Sequence, residues 1–161
     1  MLIRNTKEFL KKTNLQKILS IDVGKKKMGF AISDPNHIIS SPLEVLIRDK
    51  SFLSNLLSLI KDFEVGGILI GLPKNNNEEG NMCQMVRDIG KNIDNFLIKN
   101  NFDLPIFFWD ESYTSFEAED LTKDFFKGKK SQKKHIDKFA AKIILDDFFN
   151  ENLTSNEKKN L

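Results

Sequence analysis

Three acidic residues stand where segments that look buried begin or end. Asp22 follows the apolar run KILSI, Glu111 closes PIFFWDE, and Asp137 lies in KKHIDKFAAKIIL beside an apolar helical stripe. Each has a plain structural alternative, because a carboxylate can cap a turn, cap a helix or favour a helix dipole. Convergence of all three on one rim would instead indicate a site.

Three carboxylates in one pocket repel one another, and the pKa of at least one would rise. A divalent cation removes this repulsion, and an all-oxygen ligand set suits Mg²⁺ or Mn²⁺. Two such ions about 4 Å apart can clamp a phosphodiester, one activating water and the other stabilising the leaving oxygen. The acidic set therefore predicts metal-dependent cleavage of nucleic acid.

Hydrophobic periodicity predicts the elements that must position these residues. It predicts strands at 17–23, 28–33, 38–47, 66–72 and 105–109, helices at 49–64, 81–99 and 136–150, and a turn or two of amphipathic helix within 1–16. The capping box Thr114-x-x-Glu117 predicts a further helix at 114–128. The order indicates an α/β fold with a mixed five-stranded sheet, a three-strand antiparallel meander followed by parallel strands, with helices on both faces. Ligands in such sheets favour the carboxyl ends of the strands.

Length and composition favour one globular domain. The chain has 161 residues, a formal charge of +2 and a single cysteine, Cys83, which cannot form an internal disulfide. We expect an N-terminal extension at 1–16, a domain at 17–150 and a flexible tail at 151–161. No signal peptide or membrane span is evident, so a cytoplasmic protein without a membrane partner is expected.

Lysines crowd beside two of the acidic residues. A solvated turn or helix start is the plain alternative, but lysines near a helix N-terminus oppose the dipole preference. Beside an acidic metal pocket they suit a nucleic-acid backbone and predict phosphate contacts without sequence specificity. The predicted nucleic-acid-binding residues are Lys25, Lys26, Lys27, Lys130, Lys133, Lys134 and Lys138.

Four segments in order, IDVGKKKMGFAISD, GLPKNNNEEG, WDESYTSFEAE and KKHIDKFAAKIIL, resemble the YqgF or RuvX family over roughly residues 17–150. The resemblance implies an RNase H-like fold and a nuclease that uses Mg²⁺ or Mn²⁺, with two ions expected. It assigns the catalytic and metal-binding roles to Asp22, Glu111 and Asp137. It also implies a loop near the site that contains Gly24, Gly71, Pro73 and Gly80.

The chain departs from the family pattern at Ser112, where the family has an arginine after the glutamate. Serine cannot hold a phosphate in a guanidinium fork, so Lys138 is a candidate substitute. Asp110 is a candidate supporting acid beside the ligands.

The resemblance leaves several functions open. The first is processing of the 5′ end of pre-16S rRNA, and the second is resolution of branched DNA as a Holliday junction resolvase. A weakly catalytic nucleic-acid-binding domain is the third, and an ATP-binding domain of the sugar-kinase type is disfavoured because a second Asp-x-Gly half is missing. The partner is RNA or branched DNA, and the protein is a monomer or a homodimer.

Overall fold

The computed structural model describes residues 1–74, 80–111 and 129–153, with side chains in the last range from residue 138 onward. A two-residue strand and a short helix come first, three longer strands follow in succession, and helices and strands then alternate. The elements are β1 (Leu2–Ile3), α1 (Thr6–Lys12), β2 (Lys17–Val23), β3 (Lys27–Ser33), β4 (Ser40–Ile47), α2 (Phe52–Asp62), β5 (Val65–Pro73), α3 (Asn81–Lys99), β6 (Ile106–Glu111) and α4 (Lys129–Asn152). The predicted helix at 114–128 lies outside the described residues.

One mixed sheet has the strand order β1-β6-β5-β2-β3-β4. The strands β2, β3 and β4 form the predicted antiparallel meander, and β5, β6 and β1 add to it in parallel. The α/β fold is therefore confirmed, but the predicted count of five strands is wrong. The sixth strand, β1, belongs to the N-terminal extension at 1–16 (the lead). It has two residues, too few to show the hydrophobic alternation that identifies a strand in a sequence.

Apolar side chains of the sheet alternate between two cores, one on each face. The helices α2 and α3 cover one face, where Ile21, Ile68 and Ile70 are buried. The helices α1 and α4 cover the other face, where Leu69 and Phe148 are buried. The continuous apolar run in β5 follows from this double coverage.

The helix α4 runs antiparallel to β2 across its face of the sheet. The Ser20 hydroxyl donates to the carbonyl oxygen of Ala141 at 2.6 Å. One turn further along α4, the Asp146 carboxylate accepts from the Ser40 hydroxyl, and Ser40 pairs with Ser33 near the start of β2. Neither α4 nor any other described helix combines the length and apolarity that crossing a bilayer requires.

The lead packs onto the core of the domain instead of extending from it. The predicted short helix is present as α1, and Phe9 is fully buried against Phe107 and Phe148, with ring centroids 5.5 and 5.8 Å away. Leu15, by contrast, is 64% exposed. Residues 1–16 therefore contribute apolar burial to the α4 face.

We expect Phe9→Ala to destabilise the protein by about 3 kcal/mol, because the deletion leaves a cavity against two aromatic rings. Urea unfolding followed by circular dichroism measures this free energy. The matched control is Leu15→Ala, which removes an exposed side chain from the same segment and should cost less than about 0.5 kcal/mol. Equal effects of the two changes would contradict the packing described here.

Candidate active site

Asp22 and Glu111 point toward the same face of the sheet, at the same end. Side chains alternate along a strand, and Asp22 shares the α4 face with Ser20, two residues earlier. Glu111 shares that face with Trp109, whose indole meets the Phe148 ring edge-on at 5.3 Å. Both strands run parallel to β5 between them, so the two carboxylates lie at the carboxyl ends of β2 and β6.

Gly71 of β5 provides the space between these two residues. A Cβ atom on Gly71 would lie 3.0 Å from the carboxyl carbon and Oε1 of Glu111 and 2.5 Å from Cδ1 of Ile144. The pairing of Ile21 with Ile70, continued by one residue, sets Asp22 beside Gly71. The Glu111 carboxyl therefore reaches back into the row where Asp22 lies, because glycine leaves that volume open.

The backbone of Asp137 approaches the same end of the sheet. It lies four residues before Ala141 in α4, a rise of about 6 Å, and Ala141 is anchored to Ser20. Asp22 lies two residues beyond Ser20, about 7 Å along β2 in the same direction. The antiparallel course of α4 therefore carries the backbone of Asp137 toward Asp22, while its side chain is outside the described residues.

Two of the three predicted metal ligands are thus together in the described structure. No group of three His, Cys, Asp or Glu side chains able to hold a metal occurs among the described side chains, which exclude that of Asp137. Asp22 and Glu111 are each partly buried and engage in other contacts. Two carboxylates on either side of a glycine fit the oxygen-ligand chemistry of Mg²⁺ or Mn²⁺.

Gly24 shapes the hairpin that follows Asp22. Its backbone N–H donates to the carbonyl oxygen of Lys27 at 3.0 Å, and a Cβ atom there would lie 2.5 Å from that same oxygen. Lys25 and Lys26 are exposed at the tip, whereas Lys27 is partly buried. The glycine thus permits a tight turn that presents two cations near Asp22.

Of the four lysines predicted to bind nucleic acid from the last helix, Lys138 has a described side chain. Lys138 is partly buried on α4. Lys130, Lys133 and Lys134 belong to the first turns of α4, and their side chains lie outside the described residues.

Arg48 is a positioning residue that the sequence analysis missed. Its guanidinium donates to the carbonyl oxygens of Gly24 and Lys25, both at 3.1 Å, and its backbone N–H donates to that of Lys26 at 2.9 Å. One residue therefore holds three consecutive carbonyls of the turn after Asp22. No motif marks an arginine at the end of β4, so only the strand pairing shows this role.

Asp110 does not support the site. Neighbouring residues of a strand face opposite sides, so Asp110 points away from Glu111. Its carboxylate is 61% exposed and pairs with the Lys74 ammonium at 3.0 Å. The expected supporting role is wrong because β6 continues through Glu111 instead of ending at Trp109.

The remaining loop residues have different surroundings. The carbonyl oxygen of Pro73, the last residue of β5, accepts from the Cys83 thiol at 2.9 Å, and Cys83 is fully buried. Gly80 caps α3 in an extended conformation, and a Cβ atom there would have no neighbour within 4 Å. Gly80 is therefore not required by close packing among the described residues.

The family model described as "RuvX: Holliday junction resolvase" matches residues 16–151. The chain belongs to the RuvX family. The match begins after the lead, so β1 and α1 lie outside it. The resemblance read from the four sequence segments is confirmed.

Curated relatives agree with this membership. A protein of Sulfurihydrogenibium sp. (strain YO3AOP1) is 34% identical over 148 residues, covering 91% of this chain and 98% of its own length. One of Maridesulfovibrio salexigens is 40% identical over 134 residues, covering 81% and 95%. Both carry the name "Putative pre-16S rRNA nuclease".

Solved structures share the fold. Thermus thermophilus RuvC, in complex with a Holliday junction substrate, has a TM-score of 0.50 and 10% identity over 84% of this chain and 95% of its own. The Fowlpox virus resolvase, in complex with Holliday junction DNA, has a TM-score of 0.51 and 15% identity over 86% and 99%. These likenesses establish the RNase H-like architecture of the RuvX chain.

We expect Gly71→Ala to weaken Mn²⁺ binding, because the added methyl group displaces the Glu111 carboxyl or the Ile144 side chain. Overpacking of this kind also costs about 1–3 kcal/mol of folding free energy. Titration calorimetry with Mn²⁺ and urea unfolding measure the two effects.

The control for Gly71→Ala is Gly80→Ala, where the methyl group enters open space. It should leave Mn²⁺ binding unchanged and cost about 1 kcal/mol or less through the weaker helix cap. Wild-type Mn²⁺ affinity in Gly71→Ala would show that the volume beside Glu111 does not matter for the metal.

Replacing Arg48 by methionine should loosen the turn after Asp22, because the carbonyls of Gly24 and Lys25 lose their shared charged donor. The bond from the backbone N–H of residue 48 to the Lys26 carbonyl remains. Hydrogen exchange at the Gly24 amide, measured by NMR, is expected to accelerate about tenfold or more, in line with a charge-assisted bond. Lys50→Met, at an exposed position of the following segment, should leave that rate unchanged. An unaltered Gly24 rate in Arg48→Met would remove the positioning role.

Proposed function

We propose that this RuvX-family chain is a metal-dependent nuclease that processes the 5′ end of precursor 16S rRNA. The observation that carries the proposal is the placement of Asp22 and Glu111 on one face, on either side of Gly71, at the carboxyl ends of parallel strands. The family match and the curated relatives make the chain a phosphodiester-cleaving hydrolase. A cytoplasmic location follows from this role.

Asp22, Glu111 and Asp137 would hold Mg²⁺ or Mn²⁺, with two ions expected. When bound, the metal supplies a nucleophilic water and neutralises charge on the scissile phosphate. Asp22 lies in β2, which pairs with β3 on one side and with β5 on the other. Glu111 lies at the end of β6, and its backbone carbonyl accepts from the Lys74 N–H at 3.2 Å, which fixes the strand end.

The lysines hold the nucleic-acid backbone on either side of this acidic centre. Lys25 and Lys26 project from the hairpin that Arg48 fixes, and Lys138 projects from α4. Ser112 replaces the family's arginine and lies outside the described residues. Lys138 would then supply a point charge where the family has a fork, which weakens the geometric grip on a phosphate.

The names of the relatives favour RNA as the substrate. The family description favours a Holliday junction instead, and this is the second candidate function. A resolvase has to cut two strands symmetrically and therefore needs two sites related by a two-fold axis. The oligomeric state in solution consequently bears on the choice between the two substrates.

We expect Asp22→Asn to abolish cleavage of precursor 16S rRNA in the presence of Mn²⁺ while the fold is retained. The amide keeps the size of the side chain but loses the charge that holds a cation. Mn²⁺ should raise the melting temperature of the wild type and raise that of Asp22→Asn much less, since ligands of the folded state stabilise it. Gel analysis with mapped ends and a thermal melt provide the two readouts.

A parallel incubation with a four-way DNA junction distinguishes an RNA substrate from a DNA substrate. The control variant is Asp34→Asn, which changes a carboxylate far from the site, in the turn after β3. Normal rRNA cleavage by Asp22→Asn would refute the assignment. RNA binding without cleavage by the wild type would make the protein a binding domain, and symmetric cutting of the junction alone would make it a resolvase.

A further inference from the structure

A cavity of about 490 Å³ opens at the edge of the sheet beside β6, and no step of the proposed function uses it. We propose that it binds a backbone phosphate of the RNA substrate and that the lead at 1–16 completes it. This inference rests on the proposed function and extends it by a second contact with the substrate. Its lining includes Arg4, Leu72, Arg87, Lys91, Phe108 and Asp110.

The cavity exists because β1 is shorter than β6. The strand β1 pairs with Ile106 and Phe107 only, so β6 continues from Phe108 to Glu111 without β1 beside it. Arg4 is the first residue after β1 and lies at this step. Arg4 lies outside residues 16–151, which the family model matches.

Three cations line the cavity, from the lead and from α3. The Arg87 guanidinium lies 5.4 Å from the centroid of the Phe108 ring. Lys91 follows Arg87 by one helical turn, and two like charges at this spacing disfavour the helix. Arg4 and Lys91 are exposed, and the described part of the chain offers neither of them a hydrogen bond or an ion pair.

Among the described residues, the acidic groups nearest the cavity already have cationic partners. Asp110 is the one carboxylate among the described lining residues, and it pairs with Lys74 at 3.0 Å. Asp94, three residues after Lys91 on α3, binds the amino group of Met1. The described lining residues therefore carry a net positive charge, which favours an anionic ligand.

The chemistry and the position both point to a phosphate of the nucleic acid. A guanidinium binds phosphate through two parallel hydrogen bonds, and a lysine adds a point charge. Leu72 and Asp110 adjoin Gly71 and Glu111 in the chain, so the cavity extends to the end of β5 and β6 where the acidic centre lies. Cationic grooves flanked by aromatic rings are typical of surfaces that bind single strands.

The test measures binding of a precursor 16S rRNA fragment by fluorescence anisotropy, with Asp22→Asn as the common background to prevent cleavage. Adding Arg4→Gln and Lys91→Gln should weaken binding about tenfold and lower the slope of log K against log salt by about 1 to 2. The matched control, Lys7→Gln with Lys99→Gln, removes exposed charges from the same two elements and should change neither value. Asp110→Asn should tighten binding, because the lining loses its carboxylate.

Hydrolysis of bis(p-nitrophenyl) phosphate distinguishes this site from the acidic centre. With Asp22 intact, Arg4→Gln with Lys91→Gln should hydrolyse this small diester at the wild-type rate, since it does not span both sites. If the double variant lost as much activity on the small diester as it loses affinity for RNA, the substitutions would be acting on the acidic centre. This result would overturn the proposal. Absence of hydrolysis in the wild type would count against the proposed function alone.

Two results would overturn the cavity assignment directly. The first is a double variant, Arg4→Gln with Lys91→Gln, that keeps the wild-type melting temperature, the wild-type RNA affinity and the wild-type salt slope. The other is binding of adenosine monophosphate, measured by calorimetry, that depends on Arg4 and Lys91 while RNA affinity does not. The second result would assign the cavity to a free nucleotide.

Discussion

The parallel register of β2, β5 and β6 is the constraint on which the rest of the structure depends. Because side chains alternate and these strands run in the same direction, Asp22 and Glu111 emerge on one face at one end. A shift of one residue in either strand would turn its carboxylate toward the α2 and α3 core. The buried rows at Ile21, Ile68 and Ile70 fix that register through their packing. The same apolar contacts that stabilise the sheet therefore also orient the acidic centre.

Bringing carboxylates together costs electrostatic free energy, which a bound cation offsets. The surrounding structure keeps the arrangement in place by other means. Gly71 leaves volume for the Glu111 carboxyl, Ser20 ties α4 to β2, and Arg48 holds the turn after Asp22. These features position the backbone around Asp22 and Glu111 through contacts within the protein.

The sequence reveals the elements whose apolar pattern is long enough to show a period. It predicts β2, β5 and α3 within a residue or two, because both cores select regular spacing. It does not reveal β1, because two residues are too few to show hydrophobic alternation. It also does not reveal that β6 continues through Glu111, which turns Asp110 away from the site. The roles of Arg48 and of the Lys74–Asp110 pair depend on contacts between distant segments. Such contacts follow from strand order, which no local pattern encodes.

The proposed nuclease chemistry requires Asp22, Glu111 and Asp137 to bind the same cations. The most direct measurement is an anomalous difference map from crystals of the protein soaked in Mn²⁺ and recorded at the manganese edge. We predict strong peaks within coordination distance, about 2.0–2.3 Å, of carboxylate oxygens from all three residues. Fully occupied manganese sites elsewhere in the protein would contradict this prediction. So would a structure in which the Asp137 carboxylate points away from Asp22 and Glu111.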